Sequence, residues 1–454
     1  MSTTGATQIS RRRFIGRLPG VVASAGAAGI AASGCGVFPE QPARSQAPVT
    51  LHVLLDPNLI ERFGETAPVI PTFQEANPNI TLDIEAGPHW TEGSEARYAK
   101  FRAKLAAGDT VDVFGLVPSD AVPGFGKVGQ VRDLGPMLAK QKAVAAKDYW
   151  PAVLGAVTYQ SKLYALPYEV FTELIYYNED LLKREGQPIP TKDWTWDKLL
   201  EVCKAITRPA SGNIPGQWGI NMVLGNFRAA GVVLMWANGG KLFDDDENPR
   251  SLALDPAGAA GLQWLGDMYA KHRVVVQEED ATAGGFRNTS QMVTAGQVGF
   301  NFSSLTWRSY RSNTGFKADV QMLPKGKVRQ TASTWGDCLT LPVASKHPDA
   351  ALSLMTHISG PVGQRLLIPV VDQFPSVESI ATSKDWLQFD QFNRQAAVDM
   401  IRLAKPIPPT PAWVDINSQA LGPLLKDILA GKKTALDGLR EVKPKVDELL
   451  RTMG

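Results

Sequence analysis

Lys104-Leu105-Ala106-Ala107-Gly108-Asp109-Thr110-Val111-Asp112-Val113-Phe114-Gly115-Leu116 decides the fold. Its first half ends a segment from Glu95 to Ala107 that sets Tyr98, Phe101 and Leu105 on one helical face, with Gly108 as the stop. Its second half is an apolar strand that runs into the loop Val117-Pro118-Ser119-Asp120. Upstream, Thr50 to Leu55 is another short apolar run, and Ile80, Leu82 and Ile84 alternate as a strand does. Strand, helix and strand at these spacings predict βαβ units and a parallel sheet covered by helices, an α/β fold. Downstream the pattern recurs. Leu163 to Pro167, Leu174 to Tyr177, Val298 to Phe302, Val320 to Leu323 and Cys338 to Val343 read as strands. Thr195-Trp196-Asp197 opens a helix carrying Leu199, Leu200, Cys203 and Ile206, and Pro348 opens one that presents Leu352, Met355 and Ile358 before Gly360.

The chain has 454 residues, too many for one core, so two lobes are expected. Its 47 basic and 45 acidic side chains leave a formal charge of +2, which argues against a nucleic-acid partner. Hydrophobic residues at 44% and charged residues at 20% fit a protein with a sizeable core.

Ser10-Arg11-Arg12-Arg13-Phe14-Ile15 precedes an uncharged stretch from Leu18 to Ala32, then Ser33-Gly34-Cys35. A basic start, a short apolar run and small residues describe an export signal over residues 1–34. The paired arginines before Phe14 resemble a twin-arginine signal, and Ser-Gly-Cys resembles a bacterial lipobox, which implies lipidation of Cys35. Residues 35–48, rich in Pro, Gln, Ala and Ser, then read as a flexible tether that holds an exported body at the outer face of the cytoplasmic membrane. Cys203 and Cys338 have no CxxC partner and are expected as two buried thiols.

Several catalytic and cofactor motifs fail on context. Gly124-Phe125-Gly126-Lys127-Val128-Gly129 has the letters of a dinucleotide loop, but Pro118 to Pro123 separate it from the strand it would have to follow. Asp244-Asp245-Asp246-Glu247-Asn248 lacks the glycine and the bidentate glutamate of a calcium loop and reads as a solvated hairpin tip. The 5 histidines are scattered, with no zinc spacing, and no G-x-S-x-G elbow occurs. The expectation is therefore a binding protein with no catalytic residue, no metal and no cofactor.

Five segments in register then resemble the extracellular solute-binding proteins of bacterial ABC importers, in the sugar-binding group that includes maltose-binding protein. They are Lys104 to Val113; Lys162-Leu163-Tyr164-Ala165-Leu166-Pro167; Leu174-Ile175-Tyr176-Tyr177-Asn178-Glu179-Asp180-Leu181; Trp194-Thr195-Trp196-Asp197-Lys198-Leu199; and Asn238-Gly239-Gly240 with Leu242-Phe243-Asp244. The resemblance implies a two-lobed, periplasmic-binding-protein-like fold with hinge-linked parallel-sheet lobes. Chain crossings near Pro167, Phe316 and Val371 would make one lobe of residues 49–167 plus 317–370 and the other of 168–316 plus 371–454. It implies a monomer that captures a carbohydrate and hands it to permease subunits served by a separate ATPase, since no Walker A sequence occurs here.

A sugar offers hydroxyl edges and apolar faces, so acids and flat rings at strand ends are the candidates for holding it. Asp120 lies close to the family's hydroxyl-binding acid, or is a solvated loop acid. Glu169 and Phe171 are two apart on the crossover and share a side, although the family's acid aligns better with Phe171. Trp307, Trp335, Asp337 and Trp413 fall where the family carries ligand-facing groups, and Phe227, Trp236 and Phe374 are further rings with core packing as the alternative. A secreted glycoside hydrolase is the enzyme alternative, because paired carboxylates in an aromatic cleft also describe that chemistry. A polyol or a glycerophosphodiester is the alternative ligand.

Overall fold

The computed structural model describes residues 47–89, 94–141, 143–211, 216–222, 227–304, 310–312, 315–370 and 374–454. The expected export signal, Cys35, Trp307 and the crossing at Val371 lie outside the described residues.

Twelve strands are described in chain order: β1 Val49–Leu55, β2 Ile80–Ala86, β3 Val113–Pro118, the small hairpin β4 Thr158–Tyr159 and β5 Lys162–Leu163, β6 Leu166–Thr172, β7 Leu174–Asn178, β8 Trp218–Met222, β9 Val298–Ser303, β10 Ala318–Gln321, β11 Ser333–Thr340 and β12 Lys405–Pro406. One sheet has the order β12-β11-β3-β1-β2, with β6 on β11; the other has the order β10-β7-β9-β8. The pairs β1–β2, β1–β3, β11–β12 and β8–β9 are parallel, as the βαβ reading expects. β11 pairs antiparallel with β3 and β6, because it returns from the other sheet without a crossover helix of its own.

The deciding stretch folds as its periodicity indicates. The helix Ser94–Ala106 is followed by Gly108 at φ +76°, a left-handed conformation that glycine adopts without a Cβ clash. Phe101, fully buried, stacks on Phe114 of β3 with ring centroids 4.2 Å apart, and that burial contributes about 2 kcal/mol. The helix Trp196–Ile206 is capped by the Thr195 hydroxyl, which accepts from the Lys198 N–H at 3.1 Å, and buries Leu199, Val202, Cys203 and Ile206 along one stripe. Cys203 and Cys338 are both free and buried.

The described strands change sheet at two places. β6 stays in the first sheet through Thr172 and β7 begins the second at Leu174, so the chain passes between the sheets at Glu173. Pro167 lies inside β6 beside a register shift between Asp337 and Cys338, which suits a residue with no N–H to donate. The return passage falls between Gln321 and Ser333, since β10 still pairs with β7 and β11 belongs to the first sheet.

Asp112 shows how the first sheet is fastened. Its buried carboxylate accepts from the His52 N–H at 2.9 Å and the Ser345 hydroxyl at 2.6 Å, joining β1 to the segment after β11. Asp112→Ala leaves two donors without an acceptor and is expected to lower unfolding stability by about 2–3 kcal/mol. A urea midpoint equal to that of the parent protein would contradict this role.

Candidate functional site

β3 ends at Pro118, directly opposite Asp337 of β11, and a single turn, Ser119–Ala121, carries Asp120 just beyond the sheet. On the other side of β11, Asp337 faces Glu169 and Trp335 faces Phe171 across the antiparallel β6 ladder. Opposite residues share a face and so do residues two apart, so these four side chains stand on one side of the sheet. Phe171 and Trp335 stack with centroids 5.4 Å apart and 14° between the rings. Next to Trp335 in β11, a Cβ at Gly336 would lie 2.6 Å from the Glu169 carbonyl oxygen, so only glycine allows this approach of the two strands. The Gly336 N–H donates to the Ser119 hydroxyl at 3.1 Å, which ties the Asp120 turn to the Trp335 strand.

Asp120 is met from two further directions. The indole N–H of Trp413, a buried residue at the start of the helix Trp413–Ile416, donates to its carboxylate at 3.1 Å. Arg228, in the turn between β8 and the helix Ala230–Ala237, forms an ion pair with Asp120 and lies 4.2 Å above the Trp335 ring. Thr334, Pro408, Pro409 and Thr410 complete the wall. With Arg228 in place, hardly more than one water fits in this recess.

Deeper on the same face, Glu169 is buried and paired with Arg62. Burial would lower the Arg62 guanidinium, but Glu169, Tyr168 and Asp337 together outweigh burial and hold the group above its ordinary value. Burial, with Asp337 and Glu169 close by, pushes the Tyr168 phenol well up.

Glu173, at the passage between the sheets, is fully enclosed and accepts from the N–H and hydroxyl of Ser333 at 3.0 and 2.8 Å. Burial pushes its carboxyl up to about 8, against an ordinary value of 4.5. Between those two pH values the folded protein holds a proton that the unfolded chain releases. The stabilisation is therefore complete below pH 4.5 and is lost as pH rises to about 8. Glu173→Gln is expected to flatten the fall in melting temperature across that window. An unchanged slope in the variant would contradict this assignment.

The structure thus brings together Asp120, Glu169, Phe171, Trp335, Asp337 and Trp413. Three other candidate rings are placed elsewhere. Phe227 is fully buried beneath Gly231, and Trp236 lies inside the wholly buried helix Ala230–Ala237. Phe374 is packed between Trp150 and Trp386, with backbone hydrogen bonds to Val170 of β6. Sequence reading missed Arg62, Arg228 and Glu173. A signal for Arg228 did exist: it is the one charged residue between Met222 and Lys241.

The motifs set aside have ordinary places. Gly124 and Gly126 lie within the helix Val122–Lys127, and the Asp244 carboxylate accepts from the backbone N–H groups of Asp245, Arg250 and Ser251, each at 3.0 Å. Among the described residues no group of three His, Cys, Asp or Glu side chains could hold a metal, and no helix is long and apolar enough to cross a membrane.

A probable ABC transporter-binding protein of Deinococcus radiodurans is 26% identical over 312 residues, 65% of this chain and 69% of that one. The fold is similar to that of an ABC substrate-binding protein from Listeria monocytogenes in complex with cycloalternan, with a TM-score of 0.74, 17% identity and coverage of 89% of this chain and 100% of the other. It is also similar to the sugar-binding protein MalE from Xanthomonas citri, with a TM-score of 0.75, 22% identity and coverage of 88% and 97%. Both likenesses place the chain in the two-lobed periplasmic-binding-protein fold. A family model described as bacterial extracellular solute-binding protein matches residues 57–365. The chain belongs to that family.

Proposed function

We propose that the protein is the extracytoplasmic solute-binding component of an ABC importer, that it captures a carbohydrate where Asp120, Trp335 and Trp413 converge, and that it delivers the solute to permease subunits. The carrying observation is that convergence: an acid flanked by a flat ring and an indole N–H, at the meeting of β3, β11 and the segment after β12. Hydroxyl edges and C–H faces call for such groups. The relative from Deinococcus radiodurans supports the importer, and the ligands named for the similar structures support a saccharide.

In this reading one lobe is built on the first sheet and the other on the second, and the strands passing at Glu173 and before Ser333 act as the hinge. A ligand that bridges both lobes favours the closed arrangement, which the permease recognises. The N-terminal residues serve as an export signal, with Cys35 as the lipid anchor. The protein acts as a monomer and does no chemistry on its solute.

A thermal-shift and calorimetric screen over mono- and oligosaccharides tests the reading. Saturable binding with the sugar recovered intact is expected. Cleavage of the sugar would replace this reading with a glycoside hydrolase, and the absence of any saccharide response would remove the carbohydrate. Trp335→Ala is expected to weaken the saccharide that binds by about 1–3 kcal/mol, through loss of a ring face in a desolvated contact. Parent affinity in that variant would place the solute elsewhere.

A further inference from the structure

We propose that Arg228 is a resident occupant of the solute cleft, and that the solute which displaces it carries a cationic nitrogen on a hydroxylated frame. This rests on the reading of the Asp120–Trp335–Trp413 recess as the solute site, and deepens it by naming a ligand class. The guanidinium pairs with Asp120 and lies 4.2 Å above Trp335, so it takes up the acid and the ring face that a ligand would need. Both side chains of that pair are nearly enclosed, Arg228 at 12% and Asp120 at 13% exposure, and the recess around them has almost no free space. Nothing larger than water enters until Arg228 leaves.

The charges then select the newcomer. Asp120, Glu169 and Asp337 lie along one rim of the first sheet, through the Pro118–Asp337–Glu169 register and the turn after Pro118. Arg62 pairs with Glu169 and Arg228 with Asp120. When Arg228 swings out, Asp120 loses its ion-pair partner and Trp335 the cation over its ring. A neutral sugar would supply hydroxyl donors but no countercharge for Asp120, and an anionic sugar would add a like charge. A ligand ammonium restores the ion pair and also the cation–ring contact on Trp335. An aromatic face beside a carboxylate is a site for a cation, and Arg228 occupies it.

The test uses the full chain and two variants, Arg228→Ala and Arg228→Met, the second keeping an apolar stem in case the first folds poorly. Methylguanidinium is expected to bind either variant about tenfold or more tighter than the parent, and to lose that gain when Asp120→Asn is added. D-glucosamine is expected to bind the parent protein about tenfold or more tighter than D-glucose, with D-glucuronate weakest. Choline forms a separate arm. Tighter binding of choline than of glucosamine would support the cation site and name a quaternary headgroup, not an amino sugar, as its source. Equal, weak binding of methylguanidinium to parent and variants would overturn the resident-occupant role. Glucose equal to glucosamine, or glucuronate tightest, would overturn the ligand class while leaving the saccharide reading intact. Methylguanidinium binding with no response to any sugar would keep the cation site and remove the saccharide.

Discussion

Replacing Asp120 by alanine is expected to weaken solute capture by roughly 30-fold to several thousandfold and to lower the stability of the unliganded protein by about 2–4 kcal/mol. The carboxylate is the acceptor for the Trp413 indole N–H and the countercharge of Arg228. Trp413 is 1% exposed, so its N–H loses its protein acceptor in a recess with room for hardly more than one water. Breaking a buried ion pair by removing one partner costs about 3–5 kcal/mol, and the range here is lower because Arg228 lines a cleft and can turn outward. For the ligand, loss of a desolvated charged contact is worth about 2–5 kcal/mol, or roughly 30-fold to several thousandfold in Kd. Asp120→Asn keeps an acceptor for Trp413 and should recover much of the stability but little of the affinity. Calorimetry and urea unfolding on the two variants separate these effects. Parent-like values for both would show that Asp120 holds neither the site nor the solute.

The second large effect is expected away from the site. Asp390→Ala should cost about 3–5 kcal/mol in unfolding stability and change solute affinity little. The Arg394 side chain is 1% exposed and its fork donates to the Asp390 carboxylate at 3.0 and 2.7 Å. Its guanidinium lies 4.8 Å from the Trp386 ring centre and 5.3 Å from that of Phe389, and Arg311 stands 3.8 Å from the same carboxylate. Without Asp390, two guanidinium groups lose their acid among aromatic rings. Trp386 in turn packs on Phe374, which bonds to the backbone of β6, the strand of Glu169 and Phe171. This cluster braces the site from behind without touching the recess. A urea midpoint within error of the parent value would contradict the assignment.

The strands and helices of the first sheet were legible because their side-chain periods differ and Gly108 and Thr195 mark a stop and a start. The passages between sheets were not. β6 and β7 are buried throughout, so no change in hydrophobic pattern marks where the chain leaves one sheet for the other. Glu173 marks the passage, but Glu169 stands four residues before it in the same run, and a buried acid reads in sequence like an exposed one.

At the site, Asp120 and Trp335 stood out as groups at strand ends of a type that could face a ligand. Phe227, Trp236 and Phe374 belonged to the same residue classes, and only packing distinguishes a ring that fills the core from one that lines a cleft. The charge partners were harder still. Arg62 is 107 residues from Glu169 and Arg228 is 108 from Asp120, separations at which no local pattern links an acid to its cation. Arg228 stands alone as a charge in an apolar stretch, and the structure gives that isolation its meaning.

A crystal structure with a bound saccharide from the screen tests the central claim most directly. The account requires the sugar against the Trp335 ring and within hydrogen-bond reach of Asp120, with Arg228 withdrawn from that carboxylate. A sugar bound instead in the separate pocket lined by Trp196 and by Trp264 of the helix Pro256–Ala270, with Arg228 still paired to Asp120, would contradict it.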